Sequence, residues 1–163
     1  MRDLESQLVD ERLQRLYAYW LAACRGRRAP ARRDLDPIEF SYMLGHIGLI
    51  DVTRDPLRFR WRLHGTSISA RLHRDLTGQW IDEMPETDLK IYLLDRCRGL
   101  VETGAPLRIA HVRAFEARTH AYEALWLPLS DDGDAISMLM LAMIYPPEDS
   151  FRLHPFYQAT MSA

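Results

Sequence analysis

In FRWRLHGT, residues 59 to 66, Arg60, Arg62 and His64 alternate with Phe59, Trp61 and Leu63, so an extended chain presents one basic and one apolar face. A basic strand face is the raw material for gripping a polyanion. A nucleic-acid platform, however, needs rings and cations on the same face, and here they alternate apart. The spacing therefore predicts that Arg58, Arg60, Arg62 and His64 form the solvated side of a strand, with partner binding as a secondary role and nucleic acid disfavoured. Gly65 and Thr66 read as the turn that ends this strand.

The histidines, His46, His64, His73, His111, His120 and His154, show no HxxxH or Cys–His spacing, and no metal site is expected. His111 and Arg113 lie two apart, on the strand face shared by Leu107, Ile109 and Phe115, and could be polar groups in an otherwise apolar pocket. Asp51, Glu116 and Glu123 lack a paired base, and no nucleophile motif occurs, so no catalytic residue is assigned and the chain is not read as an enzyme. The alternative is a small enzyme with a cavity between curved sheet and helices, using His111, Arg113 and a carboxylate. Candidate pocket residues are Trp61, Leu63, Tyr92, Cys97, His111, Arg113, Trp126, Met138 and Met140. The last two share a strand face and would offer an adaptable sulfur-lined wall.

These residues must be held by an ordinary single core. The chain has 163 residues, 47% of them hydrophobic, four of them Trp, with a formal net charge of −2. That balance lacks the basic excess of a protein that wraps DNA. Residues 1–75 carry fourteen arginines against ten acids, and the remainder is acidic. Such a dipolar chain suits pairing with a protein. Only two cysteines, Cys24 and Cys97, and a charged N-terminus without signal-peptide character point to a reducing cytoplasmic compartment, and no apolar run is long enough to span a bilayer.

Leu4, Leu8, Leu13, Leu16, Tyr17, Trp20, Leu21 and Cys24 recur at helical spacing, predicting one long amphipathic helix over 3–25. Its stripe, with Leu13, Leu16, Tyr17, Trp20 and Leu21, is wide enough to cover a sheet, and two large rings suit a homodimer interface. A basic linker follows, then an Asp36–Pro37 cap on a short helix ending at Gly45. Strands are expected at 46–53 and 57–64, irregular helical pieces at 66–84, a solid helix at 86–102, and strands at 107–115, 120–129 and 135–145. SDDGD, residues 130–134, turns the last pair. The order specifies an α+β fold with a five-stranded antiparallel sheet, the middle helices on one face and the first helix available for the other.

The segments RRDLDP (32–37), FRWRLHGT (59–66), DLTGQWIDEM (75–84) and LPLSDDG (127–133), in that order, resemble the PAS domain family, specifically the short single-domain bacterial PAS-like proteins. Leu76, Thr77, Gly78 and Gln79 match the hydrophobic-Gly-polar step between that family's short helices. The resemblance covers about residues 30–147, leaving 1–29 as N-terminal helix and linker and 148–163 as a tail. It implies a pocket enclosed by the sheet and the middle helices, and an N-terminal helix that serves dimerisation or output. Thr66 to Asp82 contains no cysteine, which disfavours a flavin photoadduct, and Thr87 to Gly104 contains no histidine, which disfavours haem ligated from that helix. The expectation is a non-catalytic sensory domain that binds a small molecule, a signalling partner, or both.

Overall fold

The computed structural model describes residues 3–115 and 118–145, and of 111–115 and 118–120 the backbone alone. The elements are α1 (Leu4–Gln7), α2 (Glu11–Cys24), β1 (Ile47–Thr53), β2 (Arg58–His64), α3 (Thr66–Leu72), α4 (Asp88–Thr103), β3 (Leu107–Phe115), β4 (Arg118–Leu129) and β5 (Met138–Ile144). The strands form one antiparallel sheet in the order β2-β1-β5-β4-β3. The expected tail, 148–163, lies outside the described residues.

Strand pairing assigns side chains to faces. Tyr122, Ala124 and Trp126 of β4 share a face with Leu141 and Met143 of β5, and α3 and α4 cover it. The intervening residues, Leu125, Leu127 and Leu129 with Met138 and Met140, form the opposite face. There α2 docks, burying Leu13, Leu16, Tyr17 and Trp20, and Trp20 Nε1 donates to the Pro128 carbonyl at 3.0 Å. The same stripe that makes the helix amphipathic thus meets the apolar side of its own sheet.

The continuous first helix expected from periodicity is in fact broken between Gln7 and Glu11. Glu123, 1% exposed on β4, accepts the backbone N–H groups of Val9 and Asp10, both at 2.9 Å. Those amides are pulled out of helical pairing, and Asp10 then caps α2 by accepting from Arg12 N at 2.9 Å. The piece after Asp36 is likewise shorter than the sequence suggests. Asp36 does cap it, accepting from Ile38 N, but only turns and a 3-10 turn at Ser41–Met43 follow, leaving Leu44 exposed.

Helix α4 is specified at both ends. Thr87 Oγ1 accepts from Lys90 N, and Gly104 takes a left-handed conformation with its N–H on the Leu100 carbonyl. Its Leu89, Leu93, Cys97 and Leu100 face inward. The linker arginines tie loops together: Arg27 pairs with Asp34, Arg28 donates to the Thr103 carbonyl and Arg33 to that of Asp131.

Candidate functional site

A cavity of about 60 Å³ lies between the sheet and the middle helices. Ile68 and Leu72 of α3, Leu76, and Leu89, Tyr92 and Leu93 of α4 form its roof. Its floor is the sheet, with Trp61, His64, Tyr122, Ala124, Trp126, Leu141, Met143 and Tyr145. The wall is overwhelmingly apolar, with few polar groups. Tyr122 Oη and Tyr92 Oη are 3.5 Å apart, and burial pushes the Tyr145 hydroxyl up to about 12.

His64 reaches this wall because β2 carries a bulge. Leu49 pairs with Leu63 but Ile50 pairs with Trp61, so Arg62 is an extra residue on β2. Alternation slips there by one. Phe59 and Trp61 are buried, Arg62 and Leu63 are both exposed, and His64 is turned inward at 4% exposure. Its ring packs edge-on against Trp61 with centroids 4.8 Å apart.

Hydrogen bonds to one ring nitrogen hold the imidazole in place. Leu76 N–H approaches His64 Nδ1 at 3.3 Å. Ser69 Oγ lies 2.8 Å from the same Nδ1 and 3.1 Å from the His64 carbonyl. Burial lowers the His64 pKa to about 4, Asp75 opposing and Arg74 reinforcing the shift, so the ring is neutral at physiological pH. Ser69, His64 and Asp75 have the composition of a hydrolytic triad, with Asp75 Oδ1 3.9 Å from Nδ1. Serine and carboxylate nevertheless converge on one nitrogen, whereas a proton relay needs them on opposite nitrogens.

Outside the cavity, the arginines of β2 are engaged with neighbouring residues. Arg58 pairs with Asp82 and Glu83 and lies 4.1 Å from the Trp80 ring centroid; Arg60 donates to the Gly78 carbonyl; Arg62 pairs with Asp51. Residues 77–80 also line the edge of β2, with Trp61 N donating to Gln79 O at 2.9 Å. That cover blunts an edge strand that would otherwise offer unpaired backbone groups.

A five-stranded antiparallel sheet with a helix-roofed cavity on one face is accompanied by a sequence match: the model of the PAS domain family fits residues 9–143, from just before α2 into β5. The chain belongs to the PAS domain family. As a PAS domain it is a sensory signalling domain. No curated protein sequence matches it. Among solved structures, the VqmA dimer of Vibrio cholerae is similar with a TM-score of 0.50 and 14% identity, over 72% of this chain and 54% of that one. VqmA bound to DPO gives 0.49 and 14%, over 69% and 57%. A domain of an HTR-like protein from Haloarcula marismortui gives 0.42 and 18%, over 62% and 98%. The chain spans just over half the length of the VqmA chains, and the likeness is one of fold.

The PAS domain brings only some of the expected pocket residues together. Trp61, Tyr92 and Trp126 line the cavity. Leu63 does not: the bulge puts it on the opposite face, 41% exposed. Met138 and Met140 are corrected likewise, because their pairing with Leu129 and Leu127 sets them on the α2 side, and Met143 lines the cavity instead. Cys97 is wholly buried behind the wall, and burial pushes its thiol up, so it is no thiolate at neutral pH. The register pairs His111 with Tyr122 and Arg113 with His120, but the side chains of His111 and Arg113 lie outside the described residues. Of the expected interface residues, Leu13, Leu16, Tyr17 and Trp20 are spent on the chain's own sheet, and Leu21 alone is exposed, at 43%.

His64, like Leu63, was put on the wrong side of β2 by sequence reasoning. Strict alternation from Phe59 sends it to solvent, and nothing in FRWRLHGT marks Arg62 as a bulge. Among the described residues, no cluster of three His, Cys, Asp or Glu could hold a metal ion, and no helix is long and apolar enough to cross a membrane.

Proposed function

We propose that this PAS domain senses a small, mostly apolar molecule taken up between the sheet and helices α3 and α4, without catalysis. The cavity carries the reading: two tryptophans, leucines and a methionine surround free space that such a ligand can fill, and hydrophobic burial drives uptake. Its 60 Å³ corresponds to about four to six water-sized sites, so a small ligand fits directly and a larger one displaces flexible wall side chains such as Met143. The reading involves neither a cysteinyl-flavin adduct nor haem held from α4. The first would need an accessible thiol where Cys97 is sealed off, and the second a histidine that α4 does not contain.

Occupancy is read out through β4. Tyr122 and Ala124 touch the cavity, and Glu123 between them faces the opposite side and holds the chain just before α2. A ligand that favours one packing of β4 shifts the population of docked N-terminal segment, which a cytoplasmic protein partner or a second copy detects at the outward face of α2.

Native mass spectrometry of freshly purified protein, beside Ala124→Leu, tests the reading. The wild type carries an added mass that is released on denaturation, and the variant with a filled cavity carries less of it. A bare wild-type mass, together with no thermal stabilisation by a small-molecule extract of the host cells, would contradict it.

A further inference from the structure

Resting on the reading of the cavity as a ligand site, we infer that Trp61 is its point of polar recognition: the indole Nε1–H donates to a carbonyl-type oxygen on a neutral, largely hydrocarbon ligand. Trp61 is 2% exposed and lines the cavity, and its Nε1 is buried with no hydrogen-bond partner among the described residues. A buried N–H without an acceptor is costly, and a ligand oxygen within reach removes that cost.

The placing of the ring follows from its neighbours. Trp61 N–H donates to the Gln79 carbonyl at 2.9 Å and the Trp61 carbonyl accepts from Gly78 N–H at 2.6 Å, so the backbone of β2 is anchored at this residue. On neighbouring β1, Gly48 has no side chain, and a Cβ there would stand 2.7 Å from Trp61 Cζ3 and 3.5 Å from Cη2. The benzene end of the indole therefore lies over β1, and Nε1, at the pyrrole end, is turned away from that strand. Indole N–H can only donate, whereas the hydroxyls of Tyr92, Tyr122 and Tyr145 in the same wall can donate or accept. Trp61 thus makes a demand of one sign, for an acceptor. Most of the remaining lining is aliphatic or aromatic, and a formal charge taken into it without a counter-charge would be costly, which favours a neutral ligand.

Cyclopentanone and methylenecyclopentane, which differ in C=O against C=CH2 at nearly one shape, separate the acceptor from the hydrocarbon. Their dissociation constants would be measured by ligand-observed NMR on wild type and on Trp61→Phe, which keeps a ring and removes the donor. Any room opened by the smaller ring acts on both probes alike, so the ratio of the two constants reports the hydrogen bond. The expected result is that the preference for the ketone over the alkene falls about three- to tenfold in Trp61→Phe, the worth of one net hydrogen bond. In parallel, the indole Nε1–H proton resonance of Trp61 in wild-type protein moves downfield with cyclopentanone and not with methylenecyclopentane, a readout that does not depend on the variant folding. Binding of both probes with the same effect on that resonance overturns the assignment of Trp61 while leaving the cavity as a ligand site. If neither probe binds the wild type, the assignment and the reading of the cavity fall together.

Discussion

Glu123 and Asp10 stand far apart in sequence, yet Oε2 of Glu123 accepts the backbone N–H of Asp10 at 2.9 Å, while Oε1 takes Val9 N–H and the Arg108 guanidinium at the same distance. A carboxylate placed just before a helix also complements the positive end of the α2 dipole. One buried side chain thus ends the first helical turn, starts α2 and joins both to the sheet.

Glu123→Gln keeps one oxygen acceptor but turns an NH2 toward a donor. It should cost about 1–3 kcal/mol in urea unfolding, with amide exchange at Val9 and Asp10 accelerated more than in α4. Glu123→Leu, which also strands Arg108, should cost more. An unchanged urea midpoint in Glu123→Gln would show that the contact contributes nothing to the fold.

The buried His64 makes stability depend on pH in a defined window. Its folded pKa, about 4, lies below the unfolded value of 6.5, so between these values the unfolded chain binds more protons and stability rises with pH. The contribution is complete above about pH 6.5 and is lost as pH falls toward 4, by at most about 3 kcal/mol. His64→Phe should flatten the profile between those limits. The aspartates with lowered pKa, Asp10, Asp34, Asp75 and Asp132, titrate below this window. A wild-type profile already flat from pH 4 to 6.5 would argue against a buried, neutral His64.

Two glycines should differ in tolerance. A Cβ on Gly65, whose φ of −55 suits any residue, would sit 2.5 Å from the carbonyl oxygens of Gly45 and Ile47, both backbone. A Cβ on Gly48 would meet Trp61 Cζ3 at 2.7 Å, and that ring borders the cavity and has room to move. Gly48→Ala is expected to cost about 1–3 kcal/mol and to weaken ligand uptake, and Gly65→Ala to cost more, by thermal or urea unfolding. The reverse order would mean that the β2–α3 turn is looser than its geometry.

Because Trp20 is buried on the sheet, Trp20→Ala should cost about 3–5 kcal/mol of stability. Leu21→Ala, on the exposed side of α2, should stay within about 0.5 kcal/mol and instead weaken partner capture or self-association. Unfolding curves and light scattering on the two variants separate these outcomes.

Much of the fold was legible because hydrophobic period alone distinguishes α2 and α4 from the strands, and Asp-Pro, Gly104 and SDDGD punctuate them. The α2 stripe was legible too, but not its cover: burial of Leu13 to Trp20 looks the same in sequence whether a second copy or the chain's own β4 supplies the other side. The site was less legible, since which of Met138, Met140 and Met143 meets the cavity depends on the register with Trp126, a long-range property. His64 was hidden by the bulge at Arg62, which leaves the alternating sequence intact while moving Leu63 and His64 to the opposite faces of β2.

The central claim, a ligand cavity between the sheet and α3–α4, is tested most directly by intermolecular NOEs between cyclopentanone and methyl-labelled protein. NOEs to the methyls of Leu76, Leu89 and Met143, with none to Met138 or Met140 on the α2 face, are the expected result. NOEs confined to the α2 face, or none at saturating ketone, would contradict it.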